Sequence, residues 1–328
     1  MSEGRAAAPS FSVAIAAYQA AGTVGAAVES ALTQTVPPLD VAVCDDGSTD
    51  EIDAALAPYR DRIVLVRQKN RGEAAAKNAA ARATAGDFIA FLDADDLYYP
   101  ERLAALAELA AAHPELDVVT TNADLEVDGI VVGRYYPDIA TFPADRQAEQ
   151  VIAHDSAIFG AVAIRRTTFE AAGGLRETLR SSDDWELWMR LAIGGSRFGC
   201  VDTPLYRYRV HTRGTSADQL RGLQDSVDAL EHVLAETSPG PAELEALHRS
   251  LAHHRRAAAL TAAESALRTR AHDRRSRSRQ IAASGAFPVP TRLKAAFATL
   301  FPGAARRLLE RRERATGKSR LRKPMPGS

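Results

Sequence analysis

The chain has 328 residues, a nearly balanced charge (41 Lys and Arg against 42 Asp and Glu) and two cysteines, Cys44 and Cys200. This length can bury a sizeable core and leaves room for one catalytic domain with a smaller appendage. The cysteines offer neither a disulfide framework nor a metal-ligand spacing, the N-terminus lacks the features of a signal peptide, and no apolar run reaches the roughly 18 residues of a membrane span, so we expect a soluble or peripheral cytoplasmic protein.

Strand-like and helical segments alternate in the N-terminal part of the chain. Residues 11–18 form an apolar run that predicts the first strand, and runs at 41–44 and 62–67 follow it, with a helical segment near 52–59 between them. This order predicts an α/β fold with a parallel or mostly parallel sheet covered by helices on both faces. Residues 16–22 read AAYQAAG where a dinucleotide-binding Rossmann enzyme would carry G-x-G-x-x-G, so the sequence disfavours a dehydrogenase.

An acidic turn follows the strand at 41–44. Residues 45–50 read DDGSTD. Gly47 permits a tight turn, and a hydroxyl or carboxylate late in the turn could cap the next helix. This purely structural interpretation does not account for Asp45.

A second apolar run, at 88–92, leads directly into Asp93, Asp95 and Asp96. Crowded carboxylates raise one another's pKa unless a cation, hydrogen-bond donors or water compensates them, and Mg²⁺ and Mn²⁺ prefer such oxygen ligands together with substrate phosphates. The alternative is that Asp95 or Asp96 caps a helix that begins near Pro100. Since ligands of open α/β sheets bind outside the carboxyl ends of the strands, both acidic turns should face one crevice.

The order of these and later motifs resembles glycosyltransferase family 2, whose members are inverting enzymes of the GT-A fold with nucleotide-sugar donors. The resemblance covers about the first 215 residues and implies a Rossmann-like, mostly parallel sheet flanked by helices. Its motifs are the strand at 13–18, ESALTQT at 29–35, DDGSTD at 45–50, NRG at 70–72 with KN at 77–78, LDADD at 92–96, GGLRE at 173–177, DDWELW at 183–188 and YRYRVH at 206–211.

By this resemblance, the donor nucleotide contacts residues that follow the strands and the NRG motif. They are Ala17, Tyr18, Asp45, Lys77, Asp93 and Ala94. Asp45 would accept a hydrogen bond from the base, which suits the imide N–H of uracil or thymine, although guanine also fits. A UDP-sugar is therefore favoured, with dTDP- and GDP-sugars as alternatives. The alternative for Lys77 is that its side chain lies on a solvated helix face and does not contact the donor.

The resemblance also implies a bound Mn²⁺ or Mg²⁺ at a DXD motif. Asp95 would be the direct metal ligand, and Asp96 would support the metal shell or cap the following helix. His211 would be a metal ligand or a donor to phosphate, with Arg209 or Arg213 adding positive charge. A lone histidine is otherwise more often structural.

The DDWELW motif begins a predicted helix with two carboxylates. Family members usually carry Glu-Asp at this point and the second residue is the catalytic one, so Asp184 inherits the role of general base and Asp183 a supporting or acceptor-binding role. Stabilisation of the helix N-terminus by these carboxylates is the alternative. Trp185 is predicted to stack on an acceptor sugar, while Trp188 fits the core.

These features predict a hexosyltransferase-type enzyme (EC 2.4) that works by single displacement in glycan, glycoconjugate or natural-product biosynthesis. The sequence does not identify the sugar, the acceptor or the linkage. One alternative is a nucleotidyltransferase, which should open with a Gly-rich loop and a basic residue after the first strand. The other is a non-catalytic sugar- or nucleotide-binding protein of the same fold.

Three regions are expected: an N-terminal tail at 1–10, the GT-A catalytic domain at 11–220 and a helical extension at 221–328. From Pro241 onward there are 20 Lys and Arg against 6 Asp and Glu, so this part carries a net charge of +14. Apolar positions at helical spacing beside arginine suit the inner face of the membrane or a partner's groove; a helical cap with a disordered basic end is the alternative. Nucleic acid is not an expected partner, because no recognition module is present.

Overall fold

The computed structural model describes residues 8–135, 145–153, 162–210 and 219–268. Nine strands are found in this part of the chain: β1 Phe11–Ala17, β2 Val41–Asp45, β3 Val64–Arg67, β4 Phe88–Asp93, β5 Leu97–Tyr98, β6 Val118–Val127, β7 Ile130–Arg134, β8 Ala163–Arg165 and β9 Phe198–Arg209. The helices are α1 Val24–Leu32, α2 Ile52–Leu56, α3 Glu73–Arg82, α4 Arg102–Ala112, α5 Gln147–Ala153, α6 Arg166–Ala171, α7 Asp183–Ile193, α8 Gln219–Glu236 and α9 Pro241–Arg268. A 3₁₀ turn, Ala57–Tyr59, continues α2.

The strands form one mixed sheet in the order β3-β2-β1-β4-β8-β6-β9-β5, and β7 pairs with β6. The first four strands are parallel, as the alternation of strands and helices predicts. Beyond β4, the short strand β8 runs antiparallel to both β4 and β6, and β6 runs parallel to β9. The sheet is therefore parallel in its N-terminal half and mixed in the rest.

Alternate residues of β1 pack on opposite faces of the sheet. Val13 and Ile15 belong to a large apolar cluster that also contains the buried residues of α1 and α4. Ala14, between them, is fully buried outside this cluster, and the Ala-rich helix α3 packs against β1 and β2. Because successive strand residues point to opposite faces, helices cover both sides of the sheet.

Both cysteines are buried in strands of this sheet, Cys44 in β2 and Cys200 in β9. Burial raises the pKa of the Cys44 thiol to about 11 and that of Cys200 to about 12. Both thiols are therefore protonated at neutral pH, and they act as small apolar core residues.

The described residues divide into two compact units. The first contains those up to Val210 together with Asp228–Ser250, and the second contains 219–227 and 251–268. The boundary at 220 between catalytic domain and extension stays a prediction, and the basic end of the chain, from 269 onward, lies outside the described residues. Within the described ranges, none of the helices combines the length and apolarity that a membrane crossing requires.

Candidate active site at the carboxyl ends of the strands

The first acidic turn follows β2 and lies beside the end of β1. Asp45 is the last residue of β2 and is in register with Ala17, the last residue of β1. Both are buried, whereas Tyr18 is 53% exposed. The Asp45 carboxylate accepts a 2.9 Å hydrogen bond from the backbone N–H of Ser48. The structure thus brings together the three residues that are predicted to contact the base.

The same turn fixes the loop that precedes α3. Gly47 has a φ of +77°, and a Cβ there would lie 2.8 Å from the backbone nitrogen of Asn70, so this close approach requires glycine. The Asp46 carboxylate accepts hydrogen bonds of 2.9 Å from the N–H groups of Arg71 and Gly72. Sequence reasoning assigns no role to Asp46, because nothing local to it indicates partners 25 and 26 residues away.

Lys77, on α3, connects the acidic groups of the site. Its Nζ lies 2.6 Å from Oε1 of Glu73 and 2.8 Å from Oδ1 of Asp93, and the side chain is buried. Burial alone would lower the pKa of Lys77, but Asp93, Glu73, Asp183 and Asp184 together raise it well above its usual value. The ammonium is therefore charged and buried among these carboxylates. This excludes the alternative that Lys77 lies on a solvated helix face.

The second acidic turn, after β4, is closed by a hydrogen bond. The N–H of Asp96 donates to the carbonyl of Asp93 over 3.0 Å, with Ala94 and Asp95 between them. Burial raises the pKa of Asp93, and the neighbouring charge of Lys77 opposes this shift. The turn holds three carboxylates within four residues, beside a buried cation.

Asp96 is 2% exposed and binds to β9. Its Oδ2 accepts a hydrogen bond from the Tyr206 hydroxyl and its Oδ1 accepts one from the Arg209 N–H, both 2.7 Å long. Burial raises the pKa of Asp96 to about 8. Helix α4 begins at Arg102 with Glu101 as its N-cap, so the interpretation of Asp96 as a helix cap is wrong.

The predicted base, Asp184, and its neighbour Asp183 lie in the first turn of α7. The Oδ1 of Asp184 accepts a 2.7 Å hydrogen bond from the N–H of Trp185, one of the N–H groups that a helix N-terminus leaves without a partner in the helix. The Oδ2 of Asp183 is buried and has no hydrogen-bond partner among the described residues. Burial, followed by the charge of Asp184, raises the pKa of Asp183 to about 7; burial raises that of Asp184, with Lys77 opposing.

Both tryptophans of α7 belong to the interior. Trp185 is 5% exposed, and its indole N–H donates a 2.7 Å hydrogen bond to the carbonyl of Val151 on α5. Trp188 is buried with Leu187 and Leu191. The ring of Trp185 therefore supports α7 from inside, and the expectation that it stacks on an acceptor sugar is corrected to a supporting role.

The GGLRE loop is held against α3 by Asn78. The Asn78 side chain donates a hydrogen bond of 2.8 Å to the carbonyl of Leu175 and accepts one of 2.9 Å from the N–H of Leu175. Gly174 has a φ of +77°, and a Cβ there would meet the Asn78 amide oxygen at 2.6 Å. Glu177 pairs with Arg71 over 2.6 Å. These contacts tie the approach to α7 to the helix that carries Lys77, and sequence reasoning found the motifs without their pairing.

The carboxylates of the second acidic turn are the kind of oxygen ligand that a hard divalent cation prefers. Among the side chains described, no group of three or more His, Cys, Asp and Glu converges to form a metal site. Mg²⁺ usually takes only one or two protein carboxylates and completes its shell with phosphate and water, so such a cluster is not required. Asp95 lies in this turn, while His211 and Arg213 lie outside the described residues.

The chain matches the family model described as Glycosyl transferase family 2 over residues 12–170. The chondroitin synthase of Escherichia coli is 29% identical over 216 residues, 65% of this chain but only 30% of the relative. EpsE of Bacillus subtilis, named as a glycosyltransferase, is 30% identical over 61% of this chain and 73% of its own length. A glucosyltransferase of Escherichia coli, WfaP, is 25% identical over 68% of this chain and 86% of its own length.

Solved structures of low sequence identity share the fold. S. aureus TarS in complex with UDP-GlcNAc is 18% identical, with a TM-score of 0.63 over 94% of this chain and 92% of the solved one. The mannosyltransferase PcManGT from Pyrobaculum calidifontis, in complex with GDP-Man and Mn²⁺, is 21% identical, with a TM-score of 0.57 over 91% and 89%. With the second acidic turn and the start of α7 brought together at Lys77, the family match and the EpsE relationship establish that this chain belongs to glycosyltransferase family 2.

Proposed function

We propose that this protein transfers a sugar from a nucleoside diphosphate sugar to an acceptor hydroxyl by a single, inverting displacement. The observation that carries the proposal is the buried ammonium of Lys77. It binds Asp93 of the donor-side turn directly, and it is close enough to Asp183 and Asp184 for their charges to raise its pKa. The donor-side and acceptor-side carboxylates therefore belong to one site.

On the donor side, the nucleotide base would lie over Ala17 and Tyr18 and donate a ring N–H to Asp45. Asp93 and Ala94 would contact the ribose. An ionised carboxylate only accepts hydrogen bonds, which suits the imide N–H of uracil or thymine, and of these we favour a UDP-sugar. This preference is supported by the name of WfaP, which includes UDP-Glc, and by the solved complex of TarS with UDP-GlcNAc. The GDP-Man complex of PcManGT keeps GDP-sugars as the alternative.

Mn²⁺ or Mg²⁺ would bind at the turn after β4, with Asp95 as its protein ligand. When bound, the cation neutralises negative charge on the diphosphate leaving group. The Mn²⁺ in the PcManGT complex supports metal use within this fold. Lys77 supplies a second, fixed positive charge in the same site, because its ammonium is buried and held between carboxylates.

On the acceptor side, Asp184 removes the proton from the acceptor hydroxyl as the oxygen attacks the anomeric carbon. Its raised pKa makes it a better proton acceptor than an exposed aspartate, while Lys77 keeps it from being fully neutralised. Attack opposite to the leaving diphosphate inverts the anomeric centre, so an α-linked donor gives a β-linked product. We place the reaction in polysaccharide or glycoconjugate biosynthesis, on the side of a membrane where nucleotide sugars are made.

The first test is a calorimetric and thermal-shift screen of UDP-, dTDP- and GDP-sugars with and without Mn²⁺. The wild-type protein is expected to bind a UDP-sugar in a Mn²⁺-dependent way, and Asp95→Ala should weaken this binding at least tenfold, roughly the effect of losing one charged ligand. Asp184→Asn should bind the donor normally but lose about 10²- to 10⁴-fold in turnover. A folded wild-type protein that binds no nucleotide sugar would contradict the proposal.

A further inference from the structure

The side chain of Asp96 joins the acidic turn to the end of β9. Its two carboxylate oxygens accept separate hydrogen bonds of 2.7 Å from the Tyr206 hydroxyl and the Arg209 N–H. The backbone N–H of the same residue closes the turn on Asp93. One residue therefore fixes both the shape of the turn and its attachment to the strand beside it.

The Tyr206 hydroxyl is a hydrogen-bond donor whose position is fixed by packing. Its ring is fully buried, lies 5.0 Å from the Arg102 guanidinium, and has its centroid 5.7 Å from that of Tyr98. Arg102 is itself buried and also lies 4.8 Å from the Tyr98 ring. Rings packed in this way on a buried cation cannot turn away without opening the core.

The attachment extends to the backbone of Asp95. The Arg209 guanidinium donates to the Asp95 carbonyl over 3.4 Å, while its own N–H is bound to Asp96. Downstream of the turn, Leu97 and Tyr98 of β5 pair with Arg207 and Tyr206 of β9. The end of β9 is thus bound to the turn from Asp95 through Tyr98.

We propose that Asp96 is a positioning residue of the donor site, and that it acts through hydrogen bonds to Tyr206 and Arg209 and not by binding the cation. This rests on the proposed function, in which the turn carrying Asp93 and Asp95 receives the donor. Both Asp96 oxygens point into the core and are occupied there, so Asp96 holds this turn against β9 and keeps the Asp95 carboxylate in place.

Two substitutions separate positioning from metal ligation. In Asp96→Asn the amide oxygen still accepts from Arg209 N–H, and the amide NH₂ donates to the Tyr206 oxygen, so the attachment survives. We expect Mn²⁺-dependent UDP binding within about threefold of wild type for Asp96→Asn and a loss of about tenfold or more for Asp96→Ala, the range for leaving buried donors without an acceptor. Equal loss in both variants would identify Asp96 as a metal ligand and overturn the proposal.

A second measurement does not depend on donor binding. Hydrogen exchange of the backbone at 207–209 in the full-length protein should accelerate in Asp96→Ala and in Tyr206→Phe, which removes the hydroxyl donor. Tyr98→Phe is the matched control, because its hydroxyl bonds the Phe91 carbonyl instead, and it should leave exchange at 207–209 unchanged. Unchanged exchange in Asp96→Ala, or equal acceleration in both tyrosine variants, would overturn the proposal. If wild type binds no nucleotide, the proposed function fails, and the exchange data still decide whether Asp96 holds the turn.

Discussion

At the scale of single residues, the most unusual groups are the two carboxylates that begin α7. Asp183 is buried and Asp184 is half-buried, and burial raises both pKa values, that of Asp183 to about 7. Neighbouring carboxylates titrate as a pair, so the measured values belong to both residues together. Lys77 opposes the shift of each. The proposed base is therefore easier to protonate than an exposed aspartate, and the charge of Lys77 opposes this effect.

This leads to a prediction for the pH dependence of activity. A general base must be unprotonated, so kcat/KM should fall as the pH is lowered through the raised pKa of the pair. An ordinary aspartate, with a pKa of about 3.9, would keep the rate constant down to about pH 5. The measurement is a pH profile of kcat/KM with saturating Mn²⁺.

Asp183→Asn is the informative variant for this profile. After burial, the charge of Asp184 is the main influence that raises the pKa of Asp183, so the two carboxylates repel each other. Asp183→Asn removes the like charge beside Asp184, so the acidic limb should move to lower pH. A wild-type profile that stays flat to pH 5 would show that the base is not this buried pair.

At the scale of elements, the position of α7 depends on a buried ion cluster. Glu186 is fully buried and accepts hydrogen bonds from Nε of Arg176 at 3.0 Å and from Nε of Arg190 at 2.8 Å. Arg190 in turn donates to the carbonyls of Ala172 and Gly174. The cluster therefore attaches the helix that carries Asp184 to the GGLRE loop.

We predict that Glu186→Ala destabilises the protein by about 3–5 kcal/mol, the usual cost of leaving buried charges without their partner. Turnover should fall as well, because the first turn of α7 loses its attachment. Chemical denaturation gives the free energy of unfolding, and a steady-state assay gives kcat. The matched control is Glu170→Ala, whose carboxylate is 63% exposed and lies 3.8 Å from Arg166; it should cost less than about 1 kcal/mol. Similar losses in the two variants would show that burial of Glu186 does not matter.

The sequence predicts elements that have a strong local pattern. The four parallel strands and the helical segment near 52–59 follow from their apolar patterns, and α7 follows from one apolar face. Strand β8 has only three residues and lies between β4 and β6, so no local pattern indicates it. The acidic turns are also visible in the sequence, because carboxylates after an apolar run are uncommon. Their assembly is not visible, since Asp46, Asn78 and Asp96 bind partners 22 to 113 residues away.

At the scale of the whole molecule, the division into two units differs from the predicted domain boundary. The catalytic domain is predicted to end at 220, but the first compact unit includes Asp228–Ser250. Leu230, Val233 and Leu247 in this segment are fully buried. Glu236, also in this segment, pairs with Arg176 beside α7. The helical segment is thus part of the unit that holds the site.

A truncation tests whether this segment is required for the stability of the catalytic unit. A chain that ends at residue 220 loses the fully buried side chains of Leu230, Val233 and Leu247 and the Glu236 partner of Arg176. Each buried aliphatic side chain contributes about 1.5–3 kcal/mol, and 1 kcal/mol shifts the melting temperature of a unit of this size by about 2–4 °C. We therefore expect the melting temperature to fall by at least about 10 °C relative to a chain that ends at residue 268. Equal melting temperatures for the two chains would show that 11–220 is stable alone, and the predicted boundary at 220 would then be the correct one.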